Sequence, residues 1–317
     1  MGKHDFLDTL VAGMGAMYGN SLKFFSEGTR SASLEELVAQ SSGTVPEWRG
    51  KGEYVAEVRT PLGTIPTKFT VLEWVDATAP VLIFHHGSGD IPYHSRAKKV
   101  LGAGKNGFAP PFDSGVNLIA TNSPFNESHK EYYAAIRDLE RFGVLIAGSV
   151  ALIEALVRAL PNARKTAVSG ISLGGWITNL HHAAFNTADE YRPIFAGAAL
   201  DRLFLDSAYR KLTGKHALET PVRLTDCLNF EAAFARRSNE NVHALLGRFD
   251  RYIVLEQQAS IYRDDRLTVI DRGHITGSGD NETLRGFVGE AFEGLRGREP
   301  ARTSQRAGQS LGLQSGN

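Results

Sequence analysis

Gly170-Ile171-Ser172-Leu173-Gly174 sets a serine between two glycines directly after a short apolar run that begins at Ala167. A serine hydroxyl is a poor nucleophile at neutral pH and attacks a carbonyl only when a base takes its proton. Two residues further along the chain would complete that arrangement. His274, in Asp271-Arg272-Gly273-His274, carries an imidazole that titrates near neutrality, so it can take the proton and return it to a leaving group. Asp250, in Gly247-Arg248-Phe249-Asp250, would hold the imidazole's tautomer and stabilise its protonated form. Each residue also has a bland reading: a Gly/Ser-rich turn, a capping aspartate, a loop histidine. Their shared position, each just beyond a predicted strand, favours chemistry. Asp201 and Asp206 are alternative acids, because they follow the preceding predicted strand.

The elements that must position these residues are legible in order. Phe6, Leu7, Leu10, Val11, Met14, Met17, Tyr18, Leu22 and Phe25 recur near helical spacing, and Ser33 to Val38 starts with a serine cap and an acidic turn. Residues 1 to about 45 therefore read as helical and apart from the core. An amphipathic helix packed on the domain is the first reading of this extension. A membrane-surface helix, or one that makes a homo-oligomer, is the second.

Glu53–Thr60 alternates as a half-buried strand should, Pro61-Leu62-Gly63 breaks it, and Ile65–Val75 reads as a second strand, making a hairpin or meander. Val81–Phe84, Val116–Ala120, Ile194–Leu200, Val242–Gly247 and Leu267–Ile270 read as further strands; the first is a continuous apolar run of the kind covered on both faces, and the second is a further buried strand. Helices are expected over Tyr93–Leu101, about Glu131–Leu160, Gly174–Phe185, Ile253–Tyr262 and Glu282–Leu295. Residues 201–240 show no sheet pattern and read as an inserted cap of short helices. The strand–helix alternation predicts an α/β fold with a mostly parallel sheet, whose active site lies at the carboxyl ends of the strands. The tail from Gly297 has no hydrophobic face and reads as disordered.

Composition narrows the classes. In 317 residues there are 35 Lys plus Arg and 35 Asp plus Glu, which removes any bulk electrostatic reason to expect nucleic acid or an anionic membrane as partner. The single cysteine, Cys227, excludes an internal disulfide framework and a cysteine-based zinc cluster. The N-terminal apolar stretch, interrupted by Asp5 and Asp8, is a poor signal peptide and too short to span a bilayer. A cytoplasmic location with no integral membrane segment is the expectation, and the sequons at Asn126 and Asn281 then read as coincidences. Gly102-Ala103-Gly104-Lys105-Asn106-Gly107 satisfies a dinucleotide fingerprint but follows a helical pattern and precedes Pro110-Pro111, so no nucleotide cofactor is expected. The His85-His86 and His181-His182 pairs lack metal-ligand spacing and read as structural. Tyr132-Tyr133 and Asn122 with Asn126 are candidates to line a pocket.

Together these residues resemble the α/β-hydrolase superfamily over about residues 50–295. Gly170–Gly174, Gly247–Asp250 and Gly273-His274 match its three catalytic positions, and His86-Gly87-Ser88-Gly89 matches its oxyanion loop. The Gly-His-Ile-Thr ending and the Ser-Gly-Ile-Ser-Leu-Gly-Gly elbow are also similar to a little-characterised branch of α/β-hydrolase-domain proteins. The resemblance implies a sheet covered by helices on both faces. It divides the chain into a helical extension (1–48), the hydrolase domain (49–296, cap about 201–240) and a tail (297–317). It also implies a serine hydrolase without cofactor or metal, acting on a small-molecule ester or thioester. Ser172 would form an acyl-enzyme, His274 would shuttle the proton and Asp250 would orient it. The Leu173 N–H would bind the oxyanion together with a loop N–H, that of Ser88 or Gly87. An acyltransferase or peptidase would use the same triad, and a non-catalytic binding protein would use the same fold.

Overall fold

A computed structural model of the chain describes Asp8, residues 23–102 and residues 115–293. Nine strands form one sheet in the order β1-β2-β3-β5-β4-β6-β7-β8-β9. β1 (Ser42–Thr44), β2 (Gly52–Thr60) and β3 (Gly63–Glu73) pair antiparallel with one another, and β3 pairs antiparallel with β5 (Asn117–Thr121). From β5 through β4 (Val81–His85), β6 (Thr166–Ile171), β7 (Glu190–Ile194) and β8 (Ala244–Gly247) to β9 (Leu267–Ile270) every pairing is parallel. β4, β5 and β6 are buried at every residue. Consecutive residues on a strand face opposite sides, so both faces are covered.

The helices fall into groups. Leu34–Ala39 packs on Leu139–Ala159, which packs in turn on Leu173–Ala184, while His94–Leu101 packs on Asn281–Gly289. The 21-residue Leu139–Ala159 helix is long and apolar enough to cross a bilayer, with a mean hydropathy of 1.9. Here 83% of that stretch is buried, against β1, β2, β5 and neighbouring helices. Leu34–Ala39 starts as expected. The Ser33 hydroxyl accepts from the Glu36 N–H and the Glu36 carboxylate accepts from the Ser33 N–H, a reciprocal cap.

Four expectations change. The helix expected over Glu131–Leu160 is two helices, His129–Ile136 and Leu139–Ala159. Asp138 breaks it, because its carboxylate accepts from the Arg141 N–H at 2.9 Å and so starts a new helix. The stretch 24–28, a turn and two bends between isolated bridge residues, then fills the break: Phe25 N–H donates to the Ile136 carbonyl, Glu27 N–H to that of Arg137, and Leu139 N–H to that of Gly28. This stretch was expected to be helical. Instead Phe25 has φ 58°, and β1 also lies within the supposedly helical extension.

The strand expected over Ile194–Leu200 is β7, Glu190–Ile194, and the apolar run after it leads instead into a Leu200–Leu205 helix. β7 hid from an apolar search because it carries Glu190 and Arg192. Both are buried by pairing: Arg192 Nε meets Glu190 at 2.6 Å, Lys165 Nζ meets Glu190 at 2.5 Å, and Arg192 Nη1 donates to the Phe287 carbonyl at 2.7 Å. Finally, Ile253–Tyr262 is only a short Leu255–Gln258 helix with a 3-10 turn after it. The remaining N-terminal periodicity, positions 103–107 of the dinucleotide match and the tail lie outside the described residues.

Arg192 offers a test of this buried pairing. Arg192→Ala strands Glu190 in the core and should destabilise the protein by about 3 kcal/mol. That is the lower end of the usual cost of breaking a buried pair, because Lys165 still faces Glu190. Urea unfolding measures it, and a loss below about 1 kcal/mol would show the pair to be dispensable.

Candidate active site

Ser172 sits between β6 and the Leu173–Ala184 helix with φ 55° and ψ −113°, a backbone conformation that costs of order 1–3 kcal/mol for a residue with a side chain. The surroundings enforce it. Its N–H donates to the Ile194 carbonyl at 2.9 Å, and its carbonyl accepts from the Trp176 N–H at 3.1 Å. The flanking glycines are required by contact. A Cβ on Gly170 would lie 2.4 Å from the Gly174 backbone, and one on Gly174 would lie 2.4 Å from the His85 carbonyl oxygen at the end of β4. The helix can therefore start directly against the sheet, and its N-terminal partial positive charge faces the serine.

The three residues separated in sequence by up to 102 positions meet here. Ser172 Oγ is 3.1 Å from His274 Nε2, and His274 Nδ1 is 2.8 Å from Asp250 Oδ2. The other oxygen of Asp250 accepts from the Tyr252 and Ile253 N–H groups at 2.8 Å each, so the carboxylate is fixed by its own turn. Nδ1–H must donate to this acceptor, which leaves Nε2 with a lone pair toward the serine hydroxyl. Neither alternative acid contacts the histidine. Asp201 accepts from Thr225 and Asn229 in the helical segment after β7, and Asp206 is an exposed helix C-cap.

Burial would push the His274 imidazole down. The charge and hydrogen bond of Asp250, helped by Asp8 and opposed by Arg96, outweigh it and hold the group above its ordinary value of 6.5.

The His86-Gly87-Ser88-Gly89 loop follows β4 beside the elbow. The Gly87 N–H already donates to Asp90 Oδ2 at 2.9 Å. The N–H groups of Ser88 and Leu173 have no acceptor among the described residues. The Ser88 hydroxyl is hydrogen-bonded to the Tyr132 hydroxyl. Burial raises both Tyr132 and Tyr209, the latter to about 12, so both phenols stay neutral.

The histidine pairs are structural parts. His85 and His86 stack with ring centroids 4.5 Å apart, so they do not point to opposite faces as strand alternation suggested; β4 ends at His85 and the chain turns there. Both rings meet Ser123, and Asn126 bridges His86, Asn122 and the Asp90 carbonyl. Asn122 and Asn126 thus brace the loop and do not line the cavity. His181 lies between Glu154 and the Tyr191 hydroxyl, and His182 meets the Ser238 carbonyl. No cluster suited to a metal ion occurs among the described residues.

A cavity of about 350 Å³ opens on Ser172 and His274. Leu200, Leu203, Phe204, Tyr209 and Leu212, from the short helices between β7 and β8, line it together with Phe24, Phe142 and Trp176. Three neighbours of the site escaped the sequence reading: Phe24, Tyr209 and Asp8. Phe24 was hidden inside an apparent helix, Tyr209 stood in an unpatterned segment, and Asp8 registered only as an interruption of apolar spacing.

No family model and no curated protein matches the chain. Solved structures do. The chain is similar to an acylaminoacyl peptidase of Pyrococcus horikoshii, with 14% identity, a TM-score of 0.55, and 78% of this chain covered. It spans only 42% of that protein's length. It is similar to acetyl xylan esterase 1 of Thermoanaerobacterium sp. JW/SL YS485, with 14% identity, a TM-score of 0.51, and 85% of this chain and 96% of that one covered. A third, an acetyl xylan esterase of Paenibacillus sp. R4, has 12% identity and a TM-score of 0.50, with 91% and 94% covered. At these identities the shared property is the fold.

The electrostatics of His274 can be read directly by NMR titration of labelled histidine. In the native protein its midpoint should lie above 6.5. In Asp250→Asn the main support is gone and burial, the largest opposing effect, should carry the midpoint below 6.5. A midpoint that stays put in the variant would show that Asp250 does not set it.

Proposed function

We propose, from the premise that the chain has the α/β-hydrolase fold, that it is a serine hydrolase cleaving a carboxylic ester or thioester with an apolar acyl group. One observation carries this reading: the unbroken hydrogen-bonded line from Ser172 Oγ through His274 to Asp250, opening on an apolar cavity. In this mechanism His274 Nε2 takes the hydroxyl proton as Oγ attacks the acyl carbon. Asp250 keeps the imidazole in the productive tautomer and balances its charge. The carbonyl oxygen becomes negative and is met by the Leu173 and Ser88 N–H groups, each such donor being worth about 3 kcal/mol in the transition state. Gly87 is not needed, since its N–H is held by Asp90. His274 then returns the proton to the leaving alcohol or thiol, and water repeats the sequence to release the acid.

The lining supports an acyl chain over a sugar or a charged group. Phe24, Phe142, Phe204, Leu203 and Leu212 offer no hydrogen bonds from their side chains, the neutral Tyr209 adds no charge, and the two charged lining residues, Asp90 and Arg96, are paired with each other at 3.4 Å.

Two measurements test this. A fluorophosphonate probe should label the native protein and fail on Ser172→Ala; label that persists unchanged in the variant would remove Ser172 from its role. Across nitrophenyl esters, kcat/KM should rise about fourfold per added methylene while the chain fits, the equivalent of about 0.8 kcal/mol for each buried group, then fall. Phe24→Ala or Phe204→Ala should move that optimum to longer chains, and an unmoved optimum would mean that this cavity does not hold the acyl group.

A further inference from the structure

Asp8 lies far from the other site residues in sequence, yet its carboxylate is fully buried beside them. Oδ2 accepts from the His274 N–H at 2.8 Å and from the Arg251 N–H at 3.2 Å, and Oδ1 accepts from the Ile275 N–H at 2.9 Å. Its carbonyl accepts from the Tyr252 hydroxyl at 2.9 Å. The donors come from both of the turns that carry the acid and the base. One carboxylate therefore ties the Asp250 turn to the His274 turn, from a segment that belongs to neither.

The sequence around His274 is adapted to this contact. Gly273 has an ordinary extended backbone, with φ −90° and ψ 179°, so conformational freedom does not require glycine there. Space does. A Cβ at position 273 would lie 2.8 Å from Asp8 Oδ2 and 3.2 Å from both Oδ1 and Cγ. The glycine before the histidine leaves room for the carboxylate.

We propose that Asp8 is a positioning residue for the Ser172–His274–Asp250 triad: it clamps the two turns so that Nδ1 and Nε2 of His274 meet Asp250 and Ser172 together, and it places a second negative charge beside the imidazole. The inference rests on the serine hydrolase reading for its kinetic consequences, although the clamp itself is geometric. The charged groups acting on His274 are Asp250 and Asp8, which favour the imidazolium, and Arg96, which opposes it; the rings of Tyr252 and Phe195 complete its surroundings. Hydrogen bonds to charged carboxylates are the stronger kind, so three on one group make a stiff clamp.

Asp8→Asn keeps the size and removes the charge and part of the accepting capacity. It should lower the His274 midpoint in NMR, with the resonance assigned by its loss in His274→Gln. It should also reduce kcat for a nitrophenyl ester on the order of 10- to 100-fold with KM little changed, as small misplacements of a reacting group do. Asp8→Ala and Gly273→Ala should each impair kcat, and their effects should be non-additive, because the three atoms nearest the added methyl all belong to the Asp8 carboxylate. If both Asp8 variants fail to fold, Gly273→Ala alone, which displaces the carboxylate without deleting it, is judged by the same titration and kcat. A folded Asp8→Asn, or in that case Gly273→Ala, with the native His274 midpoint and native kcat overturns the proposal. The titration needs no turnover. A shifted midpoint alongside ester hydrolysis that survives Ser172→Ala would refute the hydrolase reading and leave the clamp standing.

Discussion

The site depends on how closely the Leu173–Ala184 helix approaches the sheet. Gly174 lies so near the His85 carbonyl, and Gly170 so near Gly174, that neither position has room for even a methyl group. That approach forces the turn between them to a single residue with positive φ, and Ser172 occupies it. The same approach brings the end of β4 and its loop alongside the serine. Strain at Ser172 costs of order 1–3 kcal/mol, small beside the burial of β4, β5 and β6 on both faces that maintains it.

What could be read from the sequence follows from how local the cause is. The elbow is local: five residues state their own geometry. The capped start of the Leu34–Ala39 helix is local, as are the apolar strands β4 and β5 and the last strand, Leu267–Ile270. Asp250 and His274 were legible because each stands at a strand end, where the fold must bring side chains together. β7 was displaced because its burial depends on partners distant in sequence: Lys165 for Glu190, and the Phe287 carbonyl with Glu290 for Arg192. No window of residues around 190–194 contains that information. The break at Asp138 was missed for the converse reason. The apolar period runs on through it, and only the docking of residues 24–28 makes the interruption visible.

The cavity illustrates the same limit. Its wall combines Phe24, Phe142, Phe204 and Tyr209, which pack edge to face or tilted with centroids 5.1–5.9 Å apart. These rings come from the irregular stretch 24–28, a long helix and two short helical turns. Each alone reads as one more apolar residue, and their convergence is a property of the tertiary fold. The reactive groups of the site are thus encoded in motifs, while the shape of its cavity is encoded in packing.

Charge is distributed in keeping with that division. Burial holds His85, His86, His181 and His182 below their ordinary value, and their ring nitrogens meet carbonyls, hydroxyls and a carboxylate in the neutral form. His274 is also buried, yet its shift has the opposite sign, because two carboxylates face it. In the proposed mechanism a base that carries a proton briefly benefits from that environment, whereas histidines that brace loops do not. His181 also meets a carboxylate, that of Glu154, yet burial prevails there, so the difference lies in two carboxylates together outweighing burial at His274. Asp8 and Asp250 are the groups that make it.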